Sequence, residues 1–291
     1  MRVLREAGLI QYLYNRAEQG KHQVKAYWRA SRQPEYTEAD WAMALDMDEF
    51  LVIHTEEGTV DSLIDELPDN TDCALICWKR FGAGNQTEIE RGLVTDRFTL
   101  SEKDEWIVNR PIPFKSLFRR SRFTRPGIHQ PLRPREDFDP RVYVNGSGLT
   151  EDEFTLKNYQ CTDPQVRKLA QINHYITRDP QSFTLKSFKG SAHQTNRGID
   201  ESYWQNRNKN QMEDRRVQRF RAQLIEEMRK IDELTHGKMS LLTEMSVELH
   251  RSAFAAAVST PEMAQLYSFC REHPQVPANL RAQRRKKLAH G

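Results

Sequence analysis

Asp46, Asp48 and Glu49 fall within four residues of one another inside the run WAMALDMDEFLV, flanked by Ala44 and Leu45 on one side and Phe50, Leu51 and Val52 on the other. A carboxylate among buried neighbours is costly unless it is paired or bound to a cation, so three together require positive charge nearby. Asp46 and Asp48 are two apart, so in an extended chain they share a side, and hard oxygen ligands of this type suit Mg²⁺ or Mn²⁺. Such ions keep several waters and phosphate oxygens in their shell, so two protein carboxylates suffice. Asp-x-Asp is also a common spacing, and a solvated turn is the competing reading.

Further residues offer complementary chemistry. The stretch 115–135 holds Lys115, Arg119, Arg120, Arg122, Arg125, Arg133 and Arg135 with no acidic residue, which suits a diphosphate or an acidic partner, and equally a solvated basic loop. His129 lies inside it, in a Pro/Gly-rich turn. His174, in Asn173-His174-Tyr175, closes an apolar stretch, where a neutral imidazole completes a carboxylate metal site or simply sits satisfied in a core. Lys186 and Lys189 are three apart on an expected helix and within reach of a phosphate, or are ordinary surface lysines.

The elements that must position these groups alternate in type. Residues 41–54 read as one strand ending in the carboxylates, 60–67 as a helix stopped by Pro68, and 73–81 as a buried strand running into Gly82-Ala83-Gly84. This alternation predicts a layered α/β sheet. Residues 1–32 read as helical and then extended, 115–143 as short extended pieces broken by prolines, and Asn145-Gly146 as a tight turn. After Arg178 the pattern is helical, with Val217, Phe220, Leu224, Met228 and Ile231 at intervals of three and four, a stripe suited to packing on the body or on a partner helix.

Composition sets outer bounds. A chain of 291 residues can bury a sizeable core, and Lys+Arg 44 against Asp+Glu 41 leaves no global field that dictates a nucleic-acid or membrane partner. No secretory signal is recognisable and the apolar runs are too short to span a bilayer, which predicts a soluble intracellular protein. Cys73, Cys77, Cys161 and Cys270 form no Cys-x-x-Cys pair and read as reduced and structural.

Taken in order, several motifs carry a resemblance. They are Trp41-x3-Leu45-Asp46-x-Asp48-Glu49-Phe50, Trp78-x2-Phe81-Gly82-x-Gly84, Lys115-x-Leu117-x-Arg119, Ile128-His129-x-Pro131, Asn145-Gly146-Ser147-Gly148, Asn173-His174-Tyr175 and Ser182-Phe183-x2-Lys186-x3-Gly190. Tyr203-Trp204, Asn208 and Glu213-Asp214 follow. The set resembles the bacterial family-2-like glycosyltransferases with a GT-A fold, over approximately residues 35–220.

The resemblance implies a GT-A-like (Rossmann-like) mixed sheet flanked by helices, in a domain 1–220 followed by a helical extension 221–291. It implies a UDP- or GDP-linked sugar donor, a carbohydrate or glycolipid acceptor with a hydroxyl to be glycosylated, and Mn²⁺ or Mg²⁺ held by Asp46 and Asp48 with His174 as a further ligand or a diphosphate contact. Lys115, Arg119 and Lys186 are the expected contacts to the diphosphate, and Asp214, with Glu49 and Glu90 behind it, the candidate for general base. The setting it implies is cell-surface polysaccharide or glycoconjugate assembly from the cytoplasmic side. The basic run 281–287 (RAQRRKK) would serve as a contact to the inner membrane, or would be a solvated terminus. Relatives of this kind place a strand, a helix and a second strand ahead of the Asp-x-Asp. Here it arrives at residue 46, so the domain is expected to be incomplete at its N-terminus. Two other readings stand beside this one: a non-catalytic scaffold derived from a transferase, and a nucleic-acid binder using the basic stretches, which leaves Asp46, Asp48 and His174 unexplained.

Overall fold

The computed structural model describes residues 2–16, 21–108, 110–134, 141–150, 159–160, 163–189 and 198–277. The basic run 281–287, Cys161 and Gly190 lie outside them. The chain divides into two compact units, one formed by Met1–Tyr14, Arg80–Glu102 and Tyr175–Gly291, the other by Asn15–Lys79 and Lys103–His174. The boundary expected at residue 220 falls inside the first of these.

The unit containing residues 15–79 and 103–174 carries the main sheet, a mixed one flanked by helices, as the α/β pattern predicts. Its strands are β1 (Trp41–Met43), β2 (Glu49–Ile53), β3 (Cys73–Arg80), β4 (Phe114–Arg119), β5 (Tyr143–Asn145) and β6 (Ala170–His174). The order is β1-β4-β3-β6-β2, with β5 also paired to β3. β5 runs parallel to β3, whereas β1 and β3 run antiparallel to β4, and β2 antiparallel to β6.

One expectation is corrected here. Residues 41–54 are not a single strand: the chain leaves β1 at Met43, turns through Asp46 to Glu49, and enters β2 at the far end of the strand order. The Glu49 N–H donates to Asp46 O at 3.0 Å, closing a four-residue turn. Three extended steps plus such a turn reach about 17 Å. Four spacings of a flat sheet come to about 19 Å. The two lengths are close, so the acidic turn crosses between the two edge strands of a curled sheet.

Two apolar layers fix the sheet. Side chains alternate across β4, so Phe114 and Phe118 join Cys73, Leu75, Cys77 and Phe123 on one face, and Leu117 joins Ala74, Ile76, Ala170 and Ile172 on the other. The helix Val60–Asp65 closes the second layer with Leu63. It begins where Thr59 and Ser62 form a reciprocal capping box, and Pro68 follows its end. Cys73, Cys77 and Cys270 are free and buried, and burial pushes the Cys73 and Cys270 thiols up to about 12, so they pack as apolar groups.

The other unit is mainly helical. Helices Pro180–Lys189, Glu201–Arg207 and Pro261–Glu272 share a core of Phe183, Trp204, Met263, Leu266 and Cys270. The motif residues Gly82, Gly84 and Asn208 meet here. Asn208 Oδ1 accepts the Ala83 N–H and Asn210 Oδ1 the Gly84 N–H, each at 2.7 Å, while both asparagine amides donate to Pro274 O. A Cβ on Gly82 would stand 2.4 Å from Asn210 Oδ1 and 2.6 Å from Asn208 Oδ1. Neither amide can retreat without releasing a buried N–H, so Gly82→Ala is expected to lower stability by about 1–3 kcal/mol. Thermal unfolding of the variant measures this; an unchanged midpoint would show that the two asparagines are dispensable.

Candidate functional site

The acidic turn is assembled by pairing between distant strands. In the β2·β6 register His174 stands opposite Glu49, the first residue after the turn, so the end of β6 is delivered to the turn itself. His174 Nε2 lies 3.7 Å from Asp48 Oδ2. Lys115, on β4 opposite Ile76, is fully buried and reaches the same end of the sheet. Its Nζ lies 3.0 Å from Asp46 Oδ2 and 3.2 Å from Glu49 Oε2, and also donates to Ile128 O at 3.0 Å.

The electrostatics follow from burial against pairing. Burial pushes the Glu49 carboxyl above its ordinary value, against the opposing pull of Lys115 and of the Asp46 N–H, which donates to Glu49 Oε2 at 3.1 Å. For Lys115 burial is the largest single influence and acts downward. The charges of Glu49 and Asp46 together outweigh it, so the ammonium titrates above its ordinary range. Lys115 is thus a permanent cation between two carboxylates.

The helix His22–Ala30 supplies two residues with no role in the sequence reading. Gln23 Nε2 donates to Asp46 Oδ1 at 2.9 Å and to the Tyr27 hydroxyl at 2.9 Å, and the two side chains are one helical turn apart. Their i, i+4 spacing was readable; their target was not. Tyr27 also lines a cavity of about 380 Å³ with Phe114, Arg125, Pro126, Ile128 and His129, a size and an apolar character typical of small-ligand pockets. His129 is fixed by Phe114 O at 3.0 Å from Nδ1, and its own carbonyl accepts from Ser116 Oγ at 2.8 Å. Trp78 stands edge-on to both histidines, with ring centroids 4.2 Å from His174 and 5.5 Å from His129.

Among the described residues, Glu49 Oε1, His174 Nδ1 and Trp78 Nε1 at this end of the sheet are buried with no hydrogen-bond partner. Buried polar groups are rarely left so unless a ligand or water serves them. Among the described residues no group of three or more His, Cys, Asp and Glu is arranged to hold a metal ion. What is present is a pair, Asp48 and His174, 3.7 Å apart. Adjacent ligands of an octahedral ion with bonds of about 2.1 Å stand about 3 Å apart, and Asp48 and His174 are close to that separation. Asp46, expected as a ligand, is held by Lys115 and Gln23.

The remaining expected residues are engaged elsewhere. Arg119 Nε donates to Thr71 O at 2.7 Å and its Nη2 to Asp69 O at 3.0 Å, with the guanidinium over the Trp41 ring. Lys186 and Asp214 belong to the other unit. Lys186 Nζ donates to Ile176 O at 3.2 Å, and both oxygens of the buried Asp214 accept from the Arg216 side chain.

With this geometry in place, the comparisons become specific. The model of glycosyltransferase family 92 matches residues 34–231, a range that takes in Asp46, Asp48, Glu49, Lys115, His129 and His174 but not Gln23 and Tyr27. This is a different family number from the family-2-like enzymes of the sequence resemblance; what the two share is glycosyl transfer. No curated protein matches the chain. Among the described residues no helix is long and apolar enough to cross a membrane.

Proposed function

The chain belongs to glycosyltransferase family 92 and is a glycosyltransferase, and we propose that it moves a sugar from a nucleoside-diphosphate donor to an acceptor hydroxyl at the end of the sheet where Asp48, His174, Lys115 and Glu49 meet. The observation that carries the reading is the approach of His174 Nε2 to Asp48 Oδ2 at 3.7 Å beside a buried lysine. A divalent ion, Mn²⁺ or Mg²⁺, bound by Asp48 and His174 would supply charge neutralisation for the departing diphosphate.

The protein's own groups divide the remaining work. Lys115 holds Asp46 and Glu49 in place and keeps a positive charge at the site throughout the pH range of life. Glu49, with one buried oxygen free of hydrogen bonds and its carboxyl raised above the ordinary range, has the properties of a general base for the acceptor hydroxyl. Asp214, the other candidate, has both oxygens taken by Arg216. The cavity beside Tyr27, Phe114 and His129 is of a size to seat part of one substrate beside this cluster. On the resemblance alone, the acceptor is a carbohydrate or glycolipid of surface polymer assembly reached from the cytoplasmic side, and Arg119 and Lys186 are secondary candidates for phosphate contact.

The test is release of UDP or GDP from a panel of nucleotide sugars with Mn²⁺ present. Glu49→Gln keeps the side-chain shape and is expected to lower kcat by about 10²–10⁴ with little change in donor binding. Unchanged turnover in Glu49→Gln would remove Glu49 from the chemistry, and release from no donor in the panel would remove the reading itself.

A further inference from the structure

A helical hairpin in the helical unit is the largest feature that the transferase reading leaves unused. Helices Arg221–Leu234 and Lys238–Ala257 are joined through Gly237, whose φ of 74° is the left-handed conformation that glycine adopts without strain. The joint is fastened: the Gly237 N–H donates to Asp232 O at 2.8 Å, and the Asp232 carboxylate accepts from Ser240 N and Oγ at 2.9 and 2.8 Å. The family match stops at residue 231, inside the first helix.

Every residue from 221 to 230 is exposed, including apolar ones. Leu224, Met228, Leu234, Leu242, Met245 and Leu249 are between 37% and 68% exposed. Their spacing is ordered. Leu224, Met228 and Ile231 recur at four and three residues, and Leu242, Met245 and Leu249 at three and four, which is the spacing of a coiled-coil seam on each helix. An isolated helix of 14 residues is marginal in water, so this face needs cover to be worth forming.

We infer that a second copy of this chain covers it, two hairpins pairing about a two-fold axis into an antiparallel four-helix bundle. Charge argues for that occupant. Between Arg221 and Ala257 there are five basic and six acidic residues, many already paired within a helix, as in Arg229 with Glu226 and Lys230 with Glu227. A hairpin so nearly neutral has no pull on an anionic membrane or a nucleic acid, whereas a self-complementary surface needs none. Area agrees. Helices of 14 and 20 residues are about 21 and 30 Å long, and side by side present a face about 20 Å wide. The accessible surface of such a face approaches the about 800 Å² per partner of a stable interface. Half of a four-helix bundle is also what a hairpin with one seam per helix supplies.

Sedimentation equilibrium of the full chain at micromolar concentration tests this. The native chain is expected at twice 34.2 kDa, and a variant carrying Met245→Glu and Leu249→Glu at 34.2 kDa with unchanged helical circular dichroism, its dimer dissociation constant raised by at least about a hundredfold. Leu224→Glu, on the other helix, is the second variant, and it too must weaken the dimer. A native chain that is monomeric overturns the proposal, and co-flotation of that monomer with anionic vesicles would assign the face to a membrane instead. Dimers that survive in both variants overturn it as well, since another face would then be the interface.

Discussion

Replacing Lys115 with methionine is expected to destabilise the protein by about 3–5 kcal/mol near neutral pH, the cost of leaving a buried carboxylate without its counter-charge. Methionine fills much the same volume, so the loss reports charge rather than a cavity. The deficit is expected to depend on pH with a definite sign. Glu49 titrates above its ordinary 4.5 in the folded state, because of its burial. A carboxyl raised in this way favours the fold below 4.5 and opposes it as pH rises through its folded value. Lys115 titrates above 10.5 in the folded state, and the stability it contributes is present below 10.5 and lost as pH rises beyond its folded value. Removing Lys115 raises Glu49 further. The gap between native and variant stability should therefore be widest between neutrality and pH 10 and narrow as pH falls toward 4.5, where Glu49 is protonated with or without the lysine. Urea unfolding at a series of pH values measures the gap. A deficit independent of pH would mean that Lys115 acts through packing alone.

Asp48→Asn is expected to have the opposite signature: a large loss of transfer with little loss of stability. Asp48 is only half-buried and sits in the turn, so an amide of the same shape costs the fold little. In the proposed site its carboxylate is nevertheless one of the two groups that would bind a divalent ion, and an amide is the poorer ligand. The rate of nucleotide release should fall by at least about a hundredfold, about 2.7 kcal/mol of transition-state stabilisation, and excess Mn²⁺ should recover part of it. Full activity in Asp48→Asn, or a comparable collapse of its unfolding midpoint, would contradict this division of roles.

How much of this could be read from the sequence depended on whether the deciding interaction was local. The strand at Cys73–Arg80 is an almost unbroken apolar run, and the helix at Val60–Asp65 has its cap and its proline within reach of it, so both were legible. His174 was correctly placed at a strand end. The carboxylates were misread because period-two reasoning assumes extended chain, whereas Asp46 to Glu49 close on themselves by one backbone hydrogen bond and turn Met47 out to 97% exposure. An apolar residue between two aspartates gave no sign of that. The pairing of Lys115 with Asp46 and Glu49 depends on the curl of the sheet, and the position of His174 on the β2·β6 register, neither of which leaves a local trace. Arg119 shows the limit most clearly. Its charge is plain in the sequence, but its partners are the Thr71 and Asp69 carbonyls, which only the fold brings to it.

Calorimetric titration of Mn²⁺ and then UDP or GDP into the native chain and Asp48→Asn tests the metal site most directly. The native chain should bind the ion, and the nucleotide only with the ion present, while Asp48→Asn should lose both. Nucleotide binding that is indifferent to Mn²⁺, or Mn²⁺ binding that survives intact in Asp48→Asn, would place the ion elsewhere or remove it from the reaction.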